Sequence, residues 1–596
     1  MKNQFLEEGY SVVDTDSGVN KLLAFLKEHY PSIIKDNEID LNELKAVAGL
    51  PIDEKVNGYG LNFVGRNFAR AKYSQETDKE LRLNTAMSKD IDTTQNLVLK
   101  GDNLDSLKIL KSYYTGEIKC IYIDPPYNTD KDEFIYPDKF DEEEAEVLGL
   151  VNLSEDDFAR MDFSFKTKKS HNGWLSFMYP RLLLARDLLS KDGVIFISID
   201  DNEQANLKLL CDEVFGEESM VASFIVTRSE GGGLAKQAII GHDYLLAYSK
   251  NIMEFTPLGK PKDIRGQVVT IEGEEYWIET DWLRKEFGKY GTLNYEDIVE
   301  IRGQSKKDEI DAGLKNGEYV LIKRNDKHIV GRYRKIADDT SKFYTILKHL
   351  NKNGIEDLKQ LCMSDYFDFP KPVSLIKEAV LGATIRTKDD IILDFFAGSG
   401  TTGEAVMQLN AEDGGNRKFI LCQIDEAIEE KEPAHKFCLD NNLPPFISSI
   451  TIERLRRAGD KIVKEIEDEN GEVGFLDELK KDFPDVGFKV FDSVDAPKLE
   501  VEDGEIMFPE LSGDTISRIY NMIFTVGLDE PTQVPEEVVK DCIYKIENNY
   551  YVTNSDKISK EDFADAIKSG KVFIDGWTAS LNSTLQHYKE DVKIVF

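Results

Sequence analysis

Cysteine pairs, histidine clusters, long hydrophobic runs and an excess of positive charge are all missing from this sequence. None of the six cysteines (Cys120, Cys211, Cys362, Cys422, Cys438 and Cys542) stands in a CxxC spacing, and none of the seven histidines groups with them. The spacing argues against a structural zinc site, and no metal is expected. Scattered single thiols suit a reducing compartment. The longest apolar runs, such as residues 194–197, fall far short of the roughly 20 residues that cross a bilayer, and residues 1–8 carry no apolar stretch of the signal-peptide kind. The expected location is the cytoplasm, with no membrane association. Lys+Arg number 75 against 111 Asp+Glu, a net charge of -36. Such a field repels polyanions at long range, so any phosphate-binding surface has to be local. No GxxxxGK[ST] loop occurs, which excludes an NTP-driven motor in this chain.

What is present is a long, ordinary, foldable chain. Its 596 residues suggest about four domains. An apolar fraction of 41% is normal for folded proteins. Charge is segregated along it. Residues 315–352 hold ten Lys/Arg against four Asp/Glu, whereas residues 461–596 hold fifteen against thirty. The acidic run Asp141-Glu142-Glu143-Glu144 reads as a solvated face.

Residues 1–95 read as helical and irregular, with an apolar patch at Leu22-Leu23-Ala24-Phe25-Leu26. From residue 96 short apolar strands alternate with amphipathic helices. The pattern predicts a strand at 118–123, a helix at 174–190 stopped by Lys191-Asp192-Gly193, and strands at 194–199 and 244–248. Residues 251–365 are polar, contain the basic stretch and break this rhythm. It resumes with a helix near 373–381, a strand at 391–393, a glycine-rich turn, a helix from about Thr402 and a strand at 419–424. Beyond 455 the chain is acidic, with a helix at 461–469. Alternating strands and helices predict a parallel α/β sheet. The expected organisation is an N-terminal region (1–95), one α/β domain split into 96–250 and 366–454, an insertion (251–365) and an acidic C-terminal domain (455–596).

Two motifs carry chemistry. Asp394-Phe395-Phe396-Ala397-Gly398-Ser399-Gly400-Thr401-Thr402-Gly403 follows a predicted strand and opens a predicted helix. Glycines there let backbone N–H groups approach a ligand, and a helix N-terminus favours negative charge. Asp425 ends the next strand, where an acid can bind ribose hydroxyls. Alone, this pattern equally fits a nicotinamide or flavin oxidoreductase. The other motif, Asp124-Pro125-Pro126-Tyr127, lies at the carboxyl end of a buried strand. Its prolines stiffen a turn that can present a carboxylate and a backbone carbonyl as two acceptors. An exocyclic amino group has two hydrogens to give to that pair, and Tyr127 offers a stacking face for an extruded base.

The pair resembles the amino-group DNA methyltransferases, whose DPPY motif matches Asp124 to Tyr127 and whose FxGxG motif matches Phe396 to Gly400. The order, with DPPY first, resembles the β-group permutation. The resemblance extends to the modification (Mod) subunits of type III restriction-modification systems. It runs through Gly60-Leu61-Asn62-Phe63-Val64-Gly65-Arg66-Asn67, Gly101-Asp102-Asn103-Leu104, Asn128-Thr129, Trp174-Leu175-Ser176-Phe177-Met178, Ile197-Ser198-Ile199-Asp200 and Phe369-Pro370-Lys371-Pro372. It implies a circularly permuted Rossmann-like fold and S-adenosyl-L-methionine as cofactor. It places Asp394, Phe396, Ala397, Gly398 and Gly400 at the methionine part, Asp425 at the ribose, Asp102 at the adenine and Lys371 at the carboxylate end. Asp124, Pro125, Pro126 and Tyr127 become the catalytic turn.

An Asp in first position resembles the adenine-N6 enzymes; the cytosine-N4 enzymes more often carry Ser. No Pro-Cys pair occurs, which disfavours the C5-cytosine class. The insertion sits where that family carries a target recognition domain, with Lys323, Arg324, Lys327, Arg332, Arg334 and Lys335 as expected contacts to double-stranded DNA. The resemblance further implies a homodimer and a restriction (helicase-nuclease) partner. A solitary methyltransferase and a recognition-only subunit are the competing readings.

Overall fold

The computed structural model of the chain describes residues 33–35, 38–39, 61–129, 170–229, 238–262, 264, 266–271, 273–285, 291–336, 339–473, 480–496, 500–502, 505–507, 513–575 and 592–595. The apolar patch at Leu22–Leu26, Gly60 and the acidic run from Asp141 to Glu144 lie outside them. Two compact units result. One comprises residues 1–256, 345–380 and 389–596, and the other 257–344 and 381–388.

The first unit is built on a ten-stranded sheet. Its strands in chain order are β1 (Lys79–Leu83), β2 (Leu97–Lys100), β3 (Ile118–Ile123), β4 (Leu189–Ile199), β5 (Met220–Thr227), β6 (His242–Ser249), β7 (Ile346–Leu347), β8 (Ile391–Asp394), β9 (Lys418–Gln423) and β10 (Lys489–Asp495). Their order across the sheet is β7-β5-β6-β4-β3-β8-β9-β2-β10-β1. The central run β4-β3-β8-β9-β2-β10 is parallel throughout. β6 runs antiparallel between β4 and β5, and β1 antiparallel to β10. β3 reads Ile-Lys-Cys-Ile-Tyr-Ile with five of its six residues buried, the near-continuous apolar run of a strand covered on both faces.

Helices cover both faces. Those used below are α1 (Arg66–Ser74), α2 (Asn103–Tyr114), α3 (His171–Leu188), α4 (Gln204–Phe215), α5 (Val373–Thr384), α6 (Thr401–Asp413), α7 (Ile447–Val473) and α8 (Thr515–Val526). Alternate strand residues address opposite layers. Ile420 and Cys422 of β9 join the core formed with α2, α3 and α4. Phe419 and Leu421 point the other way, where a Cβ on Gly403 of α6 would lie 3.5 Å and 3.2 Å from them. This is the doubly wound α/β arrangement of the expected Rossmann-like fold.

Several elements differ from the sequence expectation. The helix read at 461–469 is the end of the 27-residue α7, so a boundary drawn at 455 falls within one helix. β1 and β10, from the expected N- and C-terminal regions, both enter the sheet. α8 closes its edge: the β1 amides of Leu81 and Leu83 donate to Asn521 Oδ1 and Ser517 Oγ at 2.8 and 3.2 Å. β7 and the helix Asn351–Gln360 belong to the first unit rather than to an insertion. Lys191-Asp192-Gly193 lies inside β4, because α3 passes directly into the strand at Leu189.

The second unit holds a four-stranded antiparallel sheet in the order 268–271, 274–279, 327–335, 319–324. A small core of Leu283, Leu293, Ile298, Ile310 and Val330 supports it. Among the described residues, no helix is long and apolar enough to cross a membrane.

Lys489, the first residue of β10, is fully buried, and its ammonium donates to Tyr520 Oη at 3.3 Å and to the Thr532 carbonyl. Burial lowers it from 10.5 to about 8, partly opposed by Asp92, Asp485 and Glu530. Between those two values the unfolded chain binds the extra proton. Stability is therefore flat below pH 8 and rises towards pH 10.5, by up to roughly 3 kcal/mol. Thermal unfolding at pH 7.5 and 9.5 checks this. The wild type gains stability relative to Lys489→Met as pH rises, and a constant difference between the two would contradict it.

Candidate active site

Asp124-Pro125-Pro126-Tyr127 and the turn from Asp394 to Gly400 stand about 270 residues apart in sequence. The fold puts them side by side. β3 and β8 are parallel neighbours, with Cys120 opposite Ile392 and Ile121 opposite Leu393, so both motifs leave the same carboxyl edge. β9 follows on one side, ending before Asp425, and β4 on the other, ending before Asp200. β3 and β8 flank the point where strand order reverses, the usual ligand crevice of such sheets.

The proline turn is held from behind. Trp174 Nε1 of α3 donates to the Pro126 carbonyl at 2.7 Å. The Pro125 carbonyl accepts no hydrogen bond from the described residues. Asn128 adopts a left-handed φ of 58° and donates to Glu203 Oε1 at 2.6 Å. Glu203 is fully buried and also bonds His171 Nδ1 (2.7 Å) and Asn206 Nδ2 (2.8 Å). Burial, and then the charge of Asp124, push the Tyr127 hydroxyl well above its ordinary range.

The glycine turn is equally constrained. Asp394 is buried and accepts from Phe396 N at 3.0 Å and from Thr402 Oγ1. Burial raises its carboxyl to about 7 against those two bonds, and the nearby Asp124 charge adds to the rise. The amide of Gly398 donates to Gln423 Oε1 at 2.7 Å, and its carbonyl accepts from Thr451 Oγ1 at 2.5 Å. Gly398 and Gly400 have φ of 53° and 86°, a region L side chains rarely adopt. Ala397 N donates to the Cys422 carbonyl at 3.2 Å, and the Phe396 ring leans on Phe177 with centroids 6.0 Å apart.

Arg454 of α7, fully buried, locks the start of α6. It reaches Glu404 Oε2 at 2.8 Å, and Ser399 Oγ and Thr401 Oγ1 at 2.6 Å each. Arg181 of α3 binds Asn103 Oδ1 at 2.6 Å, and Asn103 Nδ2 donates to the Phe395 carbonyl at 2.8 Å. Sequence reading assigned roles to neither arginine, nor to Trp174, Asn103 or Asn128. A charge on an otherwise apolar helix face was the available signal.

The remaining expected residues divide. Asp425 lies at the same edge, accepting from Ser448 and standing 3.3 Å from Lys100. Asp102 is the N-cap of α2, accepting from Leu104 N at 2.7 Å, with Arg181 at 3.3 Å. Lys371, expected at the carboxylate end of the cofactor, has its ammonium on the proline turn, 2.7 Å from both Asp124 oxygens and from Tyr127 Oη.

The six expected DNA contacts all lie on the hairpin 319–324/327–335 of the second unit, but four are paired internally. Lys327 meets Asp297 (2.6 Å), Arg332 meets Glu279 (2.5 Å), Arg334 meets Asp339 (2.6 Å) and Lys335 meets Glu274 (2.6 Å). Lys323 and Arg324 are exposed, with no carboxylate partner among the described residues. Arg332 also lines a pocket of about 650 Å³ with Trp282, Glu279, Arg284, Arg302 and Lys306.

Comparison with known proteins agrees with this geometry. The DNA methylase family (N6_N4_Mtase) matches residues 118–432. The Mod subunit of the type III restriction-modification enzyme StyLTI of Salmonella typhimurium is 34% identical, over 72% of this chain and 67% of its own length. The EcoPI Mod subunit of Escherichia phage P1 is 34% identical, over 72% and 73%. The type II methyltransferase M.KpnI of Klebsiella pneumoniae is 30% identical, over 62% and 89%. With both motifs on adjacent strands of one permuted sheet, the chain belongs to the DNA methylase family and, within it, to the type III modification subunits.

Proposed function

We propose that this protein is a site-specific DNA methyltransferase acting on adenine N6 with S-adenosyl-L-methionine. In this reading it is the modification subunit of a type III system, cytoplasmic and homodimeric, and it docks a restriction subunit. One observation carries the catalytic part: the carboxylate turn after β3 and the glycine turn after β8 share one sheet edge. The two Mod relatives support the type III part.

The residues fit the cofactor. A buried carboxyl raised to about 7 regains its charge most readily beside a cation, so Asp394 suits the amino end of the methionine part. The left-handed backbone at Gly398 and Gly400, just ahead of α6, lets main chain rather than side chain face the ligand. Asp425 at the end of β9 offers acceptors for ribose hydroxyls. When bound, S-adenosylmethionine supplies an electrophilic methyl group. The chain does the rest. Tyr127 stacks the flipped base, a contact of roughly 1–3 kcal/mol. Asp124 and the Pro125 carbonyl accept the two hydrogens of the amine, which draws the nitrogen lone pair out of ring conjugation. Trp174 keeps the Pro126 carbonyl occupied, so the turn presents one carbonyl rather than two.

Incubation with S-adenosylmethionine and unmethylated plasmid, followed by mass spectrometry of the nucleosides, tests the reading. N6-methyladenine is expected. N4-methylcytosine would overturn the base assignment, and no methylated base would overturn the reaction.

The insertion is proposed as the recognition surface. Because four of the six expected contacts are already paired, Lys323 and Arg324 are the expected phosphate contacts. Replacing both with alanine should lower the slope of log affinity against log salt by up to about 2. Replacing Arg334 and Lys335 should leave that slope nearly unchanged. An unchanged slope in the first variant removes this hairpin from the interface.

A further inference from the structure

The acceptors that the proposed reaction needs are already in use. Lys371 Nζ lies 2.7 Å from Asp124 Oδ1, 2.7 Å from Oδ2 and 2.7 Å from Tyr127 Oη. An ammonium has three hydrogens, so these contacts engage every donor it has. The same nitrogen stands 4.8 Å from the centroid of the Tyr127 ring. One side chain thus occupies the seat of the target amine and bonds the hydroxyl of the ring on which the base is to stack. We infer that Lys371 is a positioning residue that holds the target amine's seat, keeping Asp124 and Tyr127 aligned until a flipped base displaces it. The inference rests on the proposed transfer of methyl to an amino group.

The surroundings fit a side chain that moves on a backbone that does not. Pro370 and Pro372 fix φ on either side of Lys371. Helix Asn351–Gln360 packs so closely that a Cβ on Gly354 would lie 2.1 Å from the Pro370 carbonyl oxygen and 3.0 Å from the Lys371 carbonyl carbon. Val373 N is tied to Asp357 Oδ2 at 2.9 Å. Only the four-bond lysine side chain is left to pivot. Its donors are replaceable in kind: an incoming amine gives one hydrogen to Asp124 and the other to the Pro125 carbonyl. A base with a carbonyl in place of the amine turns an acceptor towards Asp124 at that position and does not displace the ammonium. The exchange would therefore favour amino-bearing bases before any chemistry occurs.

Steady-state methylation of unmethylated plasmid by wild type, Lys371→Met and Lys371→Arg tests this. The methionine variant should lower the KM for DNA about tenfold while kcat falls, because the seat is open but Asp124 is less aligned. The arginine variant, a fork matched to a carboxylate, should raise the KM. Methylammonium chloride supplies a second readout. At tens of millimolar it should inhibit Lys371→Ala competitively with DNA and leave wild type unaffected, with sodium chloride at equal ionic strength as the control. KM values that move together in the Met and Arg variants, or no methylammonium effect in Lys371→Ala, would overturn the inference. If wild type itself transfers no methyl to plasmid, the underlying reaction fails and the inference with it. A methylating wild type with indifferent variants sinks the inference alone.

Discussion

Replacing Asp124 by alanine is expected to leave S-adenosylmethionine binding within about twofold of wild type and to slow methyl transfer by at least about a hundredfold. The separation follows from where the side chain reaches. Asp124 contacts Lys371 and Tyr127, whereas the glycine turn is held by Gln423, Thr451, Thr402 and Arg454. The cofactor cradle therefore survives its loss. The amine does not find a second full acceptor, because Trp174 occupies the Pro126 carbonyl. Asp124→Asn is the milder variant. It keeps the volume and one acceptor, Oδ1, but loses the charge and exchanges the second acceptor for the donor Nδ2. Calorimetric titration with the cofactor and single-turnover transfer to DNA measure the two quantities. A rate within tenfold of wild type in the alanine variant would sink the assignment of Asp124.

Arg454→Leu is expected to destabilise the first unit by about 3–5 kcal/mol and to abolish cofactor binding at micromolar concentrations. Both Arg454 and its partner Glu404 are buried, and their contact is 2.8 Å. Removing the arginine strands an ionised carboxylate in the interior, which is the costly half of breaking a buried pair. It also releases Ser399 and Thr401, the residues on either side of Gly400. The double variant Arg454→Leu/Glu404→Leu removes the stranded charge and should recover much of the stability. It should not recover cofactor binding, because Ser399 and Thr401 stay unanchored. Denaturant unfolding of the three proteins decides the point. Equal losses in the single and double variants would show that the pair's charge is not what stabilises the turn.

Much of the core was legible because short signals coincide there. β3 was read to the residue, since an apolar run stops at two prolines that cannot continue a ladder. The start of α6 and the whole of β9 were read within a residue, because the glycine turn marks where the helix opens and a buried apolar run marks the strand after it. Arg454 was less legible. Around it Ile450, Thr451, Leu455 and Ala458 are all buried on one stripe of α7. Sequence pattern places the arginine on that stripe but cannot say what it meets, since Glu404 is fifty residues away on another helix.

The basic stretch shows the opposite limit. A count of ten Lys/Arg against four Asp/Glu over residues 315–352 describes a strongly positive segment. Three of the neutralising carboxylates, Glu274, Glu279 and Asp297, stand outside that window and face it across strands or from a neighbouring helix. The alternation of a strand tells which face a charge takes, never which residue lies opposite.

The sequence by itself determined the reaction class, since two turns of fixed local chemistry, each at the end of a strand, specify acceptors and a glycine cradle without further context. Tertiary structure alone decided that β3 and β8 are neighbours, that among the described residues the Pro126 carbonyl rather than that of Pro125 is occupied, and that Lys371 sits on Asp124. It alone decided which of the six expected cations meet a carboxylate among the described residues. Turn chemistry is local and is written in consecutive residues. Pairing across a sheet and between layers joins residues tens to hundreds of positions apart, and only the folded chain brings them within hydrogen-bond distance.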